Sequence, residues 1–408
     1  MIRDALVVAL VAVVVFQLLR RYVGDYYRVP SGSMQPYLYG DPQRGDVVWV
    51  DAWSSSADCR PGDVVVVQHP DDANGQLVKR IAACGDDPGA RFIDLREGDI
   101  WLGDSRDRLV RVVKDLAAAR AMRVSWARWP AGRAAELPLA VGDGAVGDGR
   151  LVLPPLALGD EELQQLVAAR SVARRRDGSP PPDGFVGTAT AVDATYLDAC
   201  GMRGSEGEGV QVFDAGLELA LAAPVDALAG MLETRAETFT FVWRPATGQV
   251  RLWRDGEQVA AADLPVRPTA AHRVEFGRLD GRLFFAIDRR PDAELLVERR
   301  PEWRVRPERL PRGPRTRLFA AALGDRELEL AGLEVFRDVH YLRDPVLGVP
   351  GSQPSWPAEV EPGHWFLLGD NALDSRDSRQ FRGVPIAAFL GRPRCVLGPW
   401  PRTRWLTR

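Results

Sequence analysis

The chain has 408 residues, of which 46% are hydrophobic and 27% are charged, and its formal net charge is −3. This balance is typical of a globular protein with two or three domains and excludes an intrinsically disordered chain. The near-neutral charge predicts no basic surface for nucleic acid, so nucleic acid is not expected as a partner. Four cysteines without a C-x-x-C pair and four isolated histidines indicate neither a zinc site nor a disulfide framework, although a single disulfide stays open.

An apolar segment lies close to the N-terminus. Residues 5–19 (ALVVALVAVVVFQLL) would span about 22 Å as a helix, short of a hydrocarbon core of about 30 Å, so flanking residues and snorkelling arginines must complete the span. Because no small-x-small site follows, we predict an uncleaved membrane anchor over residues 1–24, with a cleaved signal peptide as the alternative. Arg20 and Arg21 favour a cytoplasmic location for the residues that follow.

A first β region is predicted over residues 25–103. Short β-branched runs at 46–51 and 63–68, followed by runs at 77–81 and 98–103, are bounded by Gly, Pro and Asp. Lys79 lies in the third run among apolar neighbours. Residues 104–184 are rich in Arg, Ala and Pro, and they are predicted to form a connecting segment with a helix at 161–176 and a Pro-rich linker.

A β-sandwich is predicted over residues 185–345, because short strand-like runs recur there with Asp-Gly turns at 255–256 and 280–281. Residues 346–408 contain a strand at 365–368 and then a polar loop whose acids and arginines can pair. The predicted fold class is therefore mainly β, with an N-terminal transmembrane helix and a β domain that the sandwich interrupts.

A candidate nucleophile follows the apolar segment, in residues 29–36 (VPSGSMQP). Prolines restrict the backbone on both sides of Ser33, and Gly32 allows close approach beside it. A nucleophilic serine needs a base, and none of the four histidines is suitably placed. Burial could lower the pKa of Lys79, one of only two lysines, towards neutrality. An ordinary loop serine and an ion-paired lysine at a strand edge are the alternatives.

Three motifs in this order resemble bacterial type I signal peptidases, a family of Ser/Lys-dyad proteases. They are PSGSMxP at 30–36, Lys79-Arg80, and GDNxxxSxDSR at 369–379, all behind the apolar segment. The resemblance covers residues 1–103 and 355–405, and it implies that residues 25–103 and 346–408 are the two parts of a catalytic β domain. It implies a single-pass protein of the plasma (inner) membrane with its catalytic domain on the extracytoplasmic side, against the orientation that Arg20 and Arg21 favour.

The resemblance also implies an activity and partners. The expected activity is a serine endopeptidase that removes N-terminal signal peptides from exported preproteins after small-x-small sites. It implies no metal and no cofactor, and preprotein signal peptides and the lipid bilayer are the expected partners. Ser33 would be the nucleophile and Lys79 the general base, Ser31 would help to form the oxyanion hole, and Ser375 would orient the lysine amine. The remaining implied residues are a supporting shell of Arg80, Asp370, Asp377 and Arg379, and a substrate pocket of Val29, Leu38 and Val78.

The chain departs from the family pattern in two places. Residues 81–90 (IAACGDDPGA) are longer than the usual Gly-x-Pro-Gly-Asp, and Tyr37 stands where threonine is common. The inserted sandwich is similar to lectin- or glucanase-like folds, a likeness that assigns no ligand, so an unknown ligand or protein partner stays open. Two other functions also stay open: an inactive membrane-anchored binding protein that acts through the sandwich, and a soluble Ser/Lys self-cleaving regulator.

Overall fold

The computed structural model describes residues 23–72, 75–130, 139–141, 144–173, 184–188, 190–193, 196–197, 203–204, 212–234, 237–267, 271–298, 316–343 and 354–406. The described residues form two compact units. The first contains the residues up to Met122 and those from Val339 onward, and the second contains the described residues between Arg123 and Asp338. Both units are built mainly from antiparallel strands, so the predicted mainly-β class is confirmed.

The first part of the first unit has seven strands and one helix. These are β1 Gly24–Arg28, β2 Val47–Asp51, β3 Val64–Gln68, β4 Gln76–Cys84, β5 Phe92–Arg96, β6 Asp99–Ser105, β7 Arg108–Arg111 and α1 Leu116–Met122. Short 3-10 turns lie at Gly32–Met34, Ser56–Asp58 and Pro88–Ala90. The four strands predicted in this region are confirmed, with shifts of up to three residues at their ends.

The second unit has seventeen described strands and one helix. They are β8 Val124–Trp129, β9 Leu139–Val141, β10 Ala145–Gly147, β11 Arg150–Leu153, α2 Asp160–Ala173, β12 Val186–Thr188, β13 Tyr196–Leu197, β14 Arg203–Gly204, β15 Ala215–Leu221, β16 Ala227–Glu233, β17 Thr238–Arg244, β18 Gln249–Arg254, β19 Glu257–Asp263, β20 Arg273–Leu279, β21 Arg282–Ile287, β22 Glu294–Glu298, β23 Arg317–Leu323 and β24 Leu328–Arg337.

The chain then returns to the first unit. The last elements are β25 Ala358–Glu359, β26 His364–Leu368, α3 Ser378–Phe381, β27 Val384–Pro385, β28 Phe389–Gly391, β29 Pro393–Gly398 and β30 Arg404–Trp405, with a 3-10 turn at Ile386–Ala388.

Both parts of the first unit contribute strands to the same sheets. The strand orders are β1-β2-β29-β30, β27-β26-β4-β3-β28 and β25-β5-β6-β7. In the central sheet β26 pairs with β4, which places Leu368 opposite Arg80. Motifs nearly 300 residues apart in the sequence are adjacent for this reason.

The core of the first unit lies on both faces of β3. Val64 and Val66 pack with Val29 and Met34, whereas Val65 and Val67 pack with Trp365. Successive side chains of a strand point to opposite faces, so a run of four valines is buried only when both faces are covered. The strand β4 that carries Lys79 pairs with β3, and the lysine is therefore held in a rigid, buried position.

The second unit is a two-sheet sandwich. An eight-stranded sheet has the order β10-β11-β24-β15-β20-β21-β22, with β8 also paired to β24, and a seven-stranded sheet has the order β19-β18-β17-β16-β23-β12-β9. Phe241 of the second sheet meets Phe276 and Phe285 of the first, with ring centroids 5.7 and 6.0 Å apart. Positive φ at both residues of Asp255-Gly256 and of Asp280-Gly281 makes the two predicted hairpin turns.

Two expectations need correction or lie outside the described residues. The predicted connecting segment, residues 104–184, instead supplies β7 to the first unit and β8 to β11 to the second, because short strands rich in Arg and Ala carry little apolar signal. Its predicted helix is confirmed as α2, whose Leu163 and Val167 pack on the seven-stranded sheet.

The predicted anchor is almost entirely outside the described residues, and none of the helices that are described is long and apolar enough to cross a membrane.

Candidate active site

Ser33 lies in the 3-10 turn between β1 and β2. The turn is anchored by Met34, which is fully buried beside Val29, and is closed by a hydrogen bond from the Gln35 N–H to the Gly32 carbonyl at 2.9 Å. Ser33 itself is only 7% exposed. The apolar residue after the serine and the glycine before it thus hold the hydroxyl in one place.

Lys79 reaches Ser33 from strand β4. Its Nζ lies 2.6 Å from Ser33 Oγ, within hydrogen-bond distance, and the lysine is 2% exposed. Burial lowers the pKa of Lys79 from the ordinary 10.5 to about 8, although the Asp377 carboxylate acts in the opposite direction. A lysine with this pKa is neutral in a substantial fraction of molecules near pH 8, and the neutral amine can accept the proton of the serine hydroxyl.

The two other predicted serines differ in their surroundings. Ser31 is solvent-exposed, and its Oγ lies 3.4 Å from Ser33 Oγ. Ser375 is 1% exposed, and the hydrogen bonds of the described residues include none between its Oγ and the Lys79 amine. The structure therefore places Ser375 close to the site without the lysine contact that the sequence predicted.

The loop after β26 supports the Ser33 turn. The Asn371 backbone N–H donates to the Ser33 carbonyl at 3.1 Å, and its side-chain amide donates to the Gly32 carbonyl at 3.3 Å. A Cβ at Gly369 would lie 2.4 Å from the Ser33 carbonyl and 2.2 Å from Ser375 Oγ, so only glycine fits there. Neither Gly369 nor Asn371 was predicted to have a role, although a Gly-Asp-Asn triplet at the end of a buried strand is a signal for close backbone approach.

Arg80 and Asp370 form a buried bidentate ion pair. The guanidinium donates from Nε at 2.8 Å and from Nη2 at 2.5 Å, and its Nη1 donates to the Gly62 carbonyl at 2.6 Å. Both residues are 4% exposed. This pair joins the strand of the lysine to the loop that contacts Ser33.

Asp377 and Arg379 form a second buried pair, and both are 0% exposed. One Asp377 oxygen accepts from Arg379 Nε at 2.8 Å, and the other accepts from Arg379 Nη2 at 2.8 Å and from the Gly369 N–H at 3.0 Å. Burial raises the pKa of Asp377, but the Arg379 guanidinium outweighs it, and the pKa is lowered overall. Asp377 thus stays ionised and fixes Gly369, so it acts on the backbone next to Ser33.

The predicted pocket residues are mostly in the core. Val29 is 3% exposed and Leu38 is 0% exposed, and both pack with Met34. Val78 is partly exposed and packs against the same cluster. Of the three, only Val78 has an accessible surface.

Three buried aspartates of the second unit also lie close together. Carboxylate oxygens of Asp214, Asp280 and Asp338 are within 4.8 Å of one another. Arg278 donates to Asp214 at 2.7 Å and supplies positive charge to the group. We assign no metal to this cluster, because its compensating charge comes from an arginine.

Comparison with known proteins gives one family match. A model described as "Signal peptidase, peptidase S26" matches residues 2–93 and 342–400, which include Ser33, Lys79 and the loop after β26. These two segments are therefore similar to signal peptidases, and the match supports a peptidase. A search of curated proteins gave no match.

Solved structures with lectin-type domains are also similar in part. A galectin, LEC-6 of Caenorhabditis elegans, is 17% identical, with 30% of this chain and 81% of that chain covered and a TM-score of 0.22. The exoplasmic/lumenal domain of VIP36 in its Ca²⁺-bound form is 10% identical, with 53% and 90% covered and a TM-score of 0.29. Carbohydrate binding module CBM66 of Bacillus subtilis is 9% identical, with 49% and 92% covered and a TM-score of 0.24. Likenesses at this level carry no conclusion about what the chain binds.

Proposed function

We propose that the first unit is a serine endopeptidase with a Ser33/Lys79 dyad that removes signal peptides from exported preproteins after small-x-small sites. The observation that carries the proposal is the 2.6 Å approach of a buried lysine amine, with a pKa of about 8, to a buried serine hydroxyl. The match to signal peptidases over both segments of this unit supports it independently.

The proposed mechanism follows from this contact. Neutral Lys79 takes the proton of the Ser33 hydroxyl as the oxygen attacks the scissile carbonyl, and it then donates a proton to the leaving amine. Hydrolysis of the acyl-enzyme by water uses the same base. Ser31 Oγ and the Ser33 N–H would stabilise the oxyanion, and loss of one such donor typically lowers the rate by about 10² to 10³.

We propose that the enzyme is anchored in the plasma membrane through residues 1–24, with the catalytic unit on the extracytoplasmic side. Trp400 and Trp405 of the first unit are 86% and 77% exposed, and aromatic side chains are favoured at the membrane interface. An exported preprotein emerges on that side of the membrane, and its signal peptide must be removed there.

The test is cleavage of a preprotein that carries an Ala-x-Ala site. Wild type, Ser33→Ala and Lys79→Ala proteins are compared in detergent, and the N-termini of the products are sequenced. Lys114→Ala, which removes the other lysine of the chain, is the matched control. We expect wild type and Lys114→Ala to cut after the second alanine and both dyad variants to be inactive while folded.

The alternatives predict different results. An inactive binding protein that acts through the sandwich predicts no cleavage by any of the four proteins. A soluble self-cleaving regulator predicts cleavage within its own chain and no dependence on detergent. Inhibition by a metal chelator would contradict the dyad assignment, because the proposed chemistry needs no metal.

A further inference from the structure

The first unit contains a cavity of about 130 Å³ that the proposed reaction does not use. Its walls come from β4, β6 and α1 and from residues next to β7. The lining is mainly aliphatic, and includes Ile81, Ile100, Val112, Ala118, Met122 and Val339.

The charged groups that line the cavity already have partners. Arg80 directs Nε and Nη2 to Asp370 and Nη1 to the Gly62 carbonyl. Asp99 lies 3.3 Å from the Arg111 guanidinium, and Lys114 makes a contact of its own. A charged ligand would therefore lose its hydration without gaining a partner, so the lining selects an uncharged occupant.

The size of the cavity limits what it can hold. An apolar protein cavity of about 150 Å³ stays dry and binds benzene. Small residues, Ala82 and Ala118 among them, line the present cavity where a larger aliphatic side chain would fill it. We propose that this cavity is a binding site for an uncharged apolar group of the size of a benzene ring. Its occupant would contact Arg80, which holds Asp370 and, through the loop after β26, the Ser33 turn.

The test measures the uptake of benzene by the full chain in detergent, by gas chromatography of the headspace above the solution. Ala118→Leu fills the cavity from α1, whereas Ala117→Leu adds the same side chain at the neighbouring, exposed position of the same helix. Benzene also partitions into detergent, and subtraction of the Ala118→Leu value measured in the same solution removes that contribution together with any uptake elsewhere in the protein. We expect wild type and Ala117→Leu each to take up about one equivalent of benzene more than Ala118→Leu takes up.

Val112→Phe provides a second filled cavity, and it replaces Ala118→Leu if the circular dichroism of that variant shows that it does not fold. Equal uptake by wild type and a folded, filled variant would overturn the proposal, and so would an equal loss in Ala117→Leu and Ala118→Leu. The readout is independent of peptidase activity. Ser33→Ala should bind benzene as wild type does, so failure of the proposed function and failure of this site are distinguishable.

Discussion

Glu218 in the second unit and Lys79 in the first are both buried, but their partners differ. In the second unit, Glu218 accepts hydrogen bonds from Arg123 at 2.9 Å, Arg273 at 2.8 Å and Arg289 at 2.7 Å. Burial raises the pKa of Glu218, but these guanidinium groups outweigh it and lower the pKa overall. At the candidate site of the first unit, Arg80 and Arg379 each bond one aspartate, and Lys79 bonds a hydroxyl.

The difference shows how one chain separates stability from reactivity. A carboxylate that accepts hydrogen bonds from several guanidinium groups is held in its charged form. An amine that is buried against a hydroxyl is pushed towards its neutral form, because burial removes water and the nearby carboxylates compensate only in part. The site therefore depends on incomplete compensation of one charge inside a frame of fully paired ones.

The largest expected effect is that of pH on activity through Lys79. Because the folded pKa of Lys79 is about 8, the rate of cleavage should fall about tenfold for each pH unit below 8 and level off above it. Lys79→Met should lose more than about 10³-fold at every pH. A pH profile of single-turnover cleavage measures this, and a profile that stays flat from pH 5 to 9 would rule out the lysine as base.

The lowered pKa of Lys79 also predicts how stability depends on pH. The dependence has the opposite sign to that of a lysine whose pKa is raised by an ion pair. Between pH 8 and 10.5 the unfolded lysine binds a proton that the folded one does not, so the stability of the first unit should rise with pH across this window. Below pH 8 the free energy of unfolding should be lower by about 3 kcal/mol, because the lysine must then be buried in its charged form. Lys79→Met should remove the slope, and Lys114→Met should keep it, in hydrogen exchange of first-unit peptides.

The next prediction compares the stability cost of breaking a buried ion pair in the first unit with that of breaking an exposed pair in the second. Arg379→Met leaves Asp377 buried without its partner and should destabilise the first unit by about 3 to 5 kcal/mol. Arg128→Met in the second unit removes a pair with Glu334 in which the arginine side chain is 60% exposed, and the cost should be below about 1 kcal/mol. Hydrogen exchange by mass spectrometry resolves the two units by their own peptides. Similar costs for the two variants would show that burial does not make the Asp377–Arg379 pair more important for stability than the exposed Arg128–Glu334 pair.

A smaller effect is expected at Gly369. In Gly369→Ala the new Cβ would overlap the Ser33 carbonyl and Ser375 Oγ, so the loop must shift, at a cost of about 1 to 3 kcal/mol and with loss of cleavage. Gly398→Ala in the same unit meets nothing within 4 Å and should change neither quantity. Urea denaturation and cleavage assays check both. Equal behaviour of the two variants would show that the close approach at Gly369 is not needed.

The sequence predicted the strands better than the contacts between them. β-branched runs located β2, β3 and β4, and Asp-Gly pairs located two hairpins, because these signals are local. The pairing of β4 with β26 was not predicted, because no local pattern indicates which distant strand is a neighbour. The family resemblance predicted only that the two segments belong to one β domain. Val29 and Leu38 were expected to line a pocket, yet they belong to the core. The sequence could not separate these two roles, because the same apolar residue types occur in pockets and in cores.

The smallest expected effect is at Asn371, and it tests how the loop after β26 positions the nucleophile. Asn371→Ala removes the side-chain hydrogen bond to the Gly32 carbonyl but keeps the backbone bond to Ser33, so the stability loss should be about 0.5 to 1.5 kcal/mol. If the same energy is lost from the alignment of Ser33, kcat should fall about two- to tenfold. Asn371→Asp places a carboxylate oxygen against that carbonyl and should lower kcat further. Because the loop contacts the turn rather than the substrate, KM should stay unchanged in both variants, and a change in KM alone would show that Asn371 touches substrate instead.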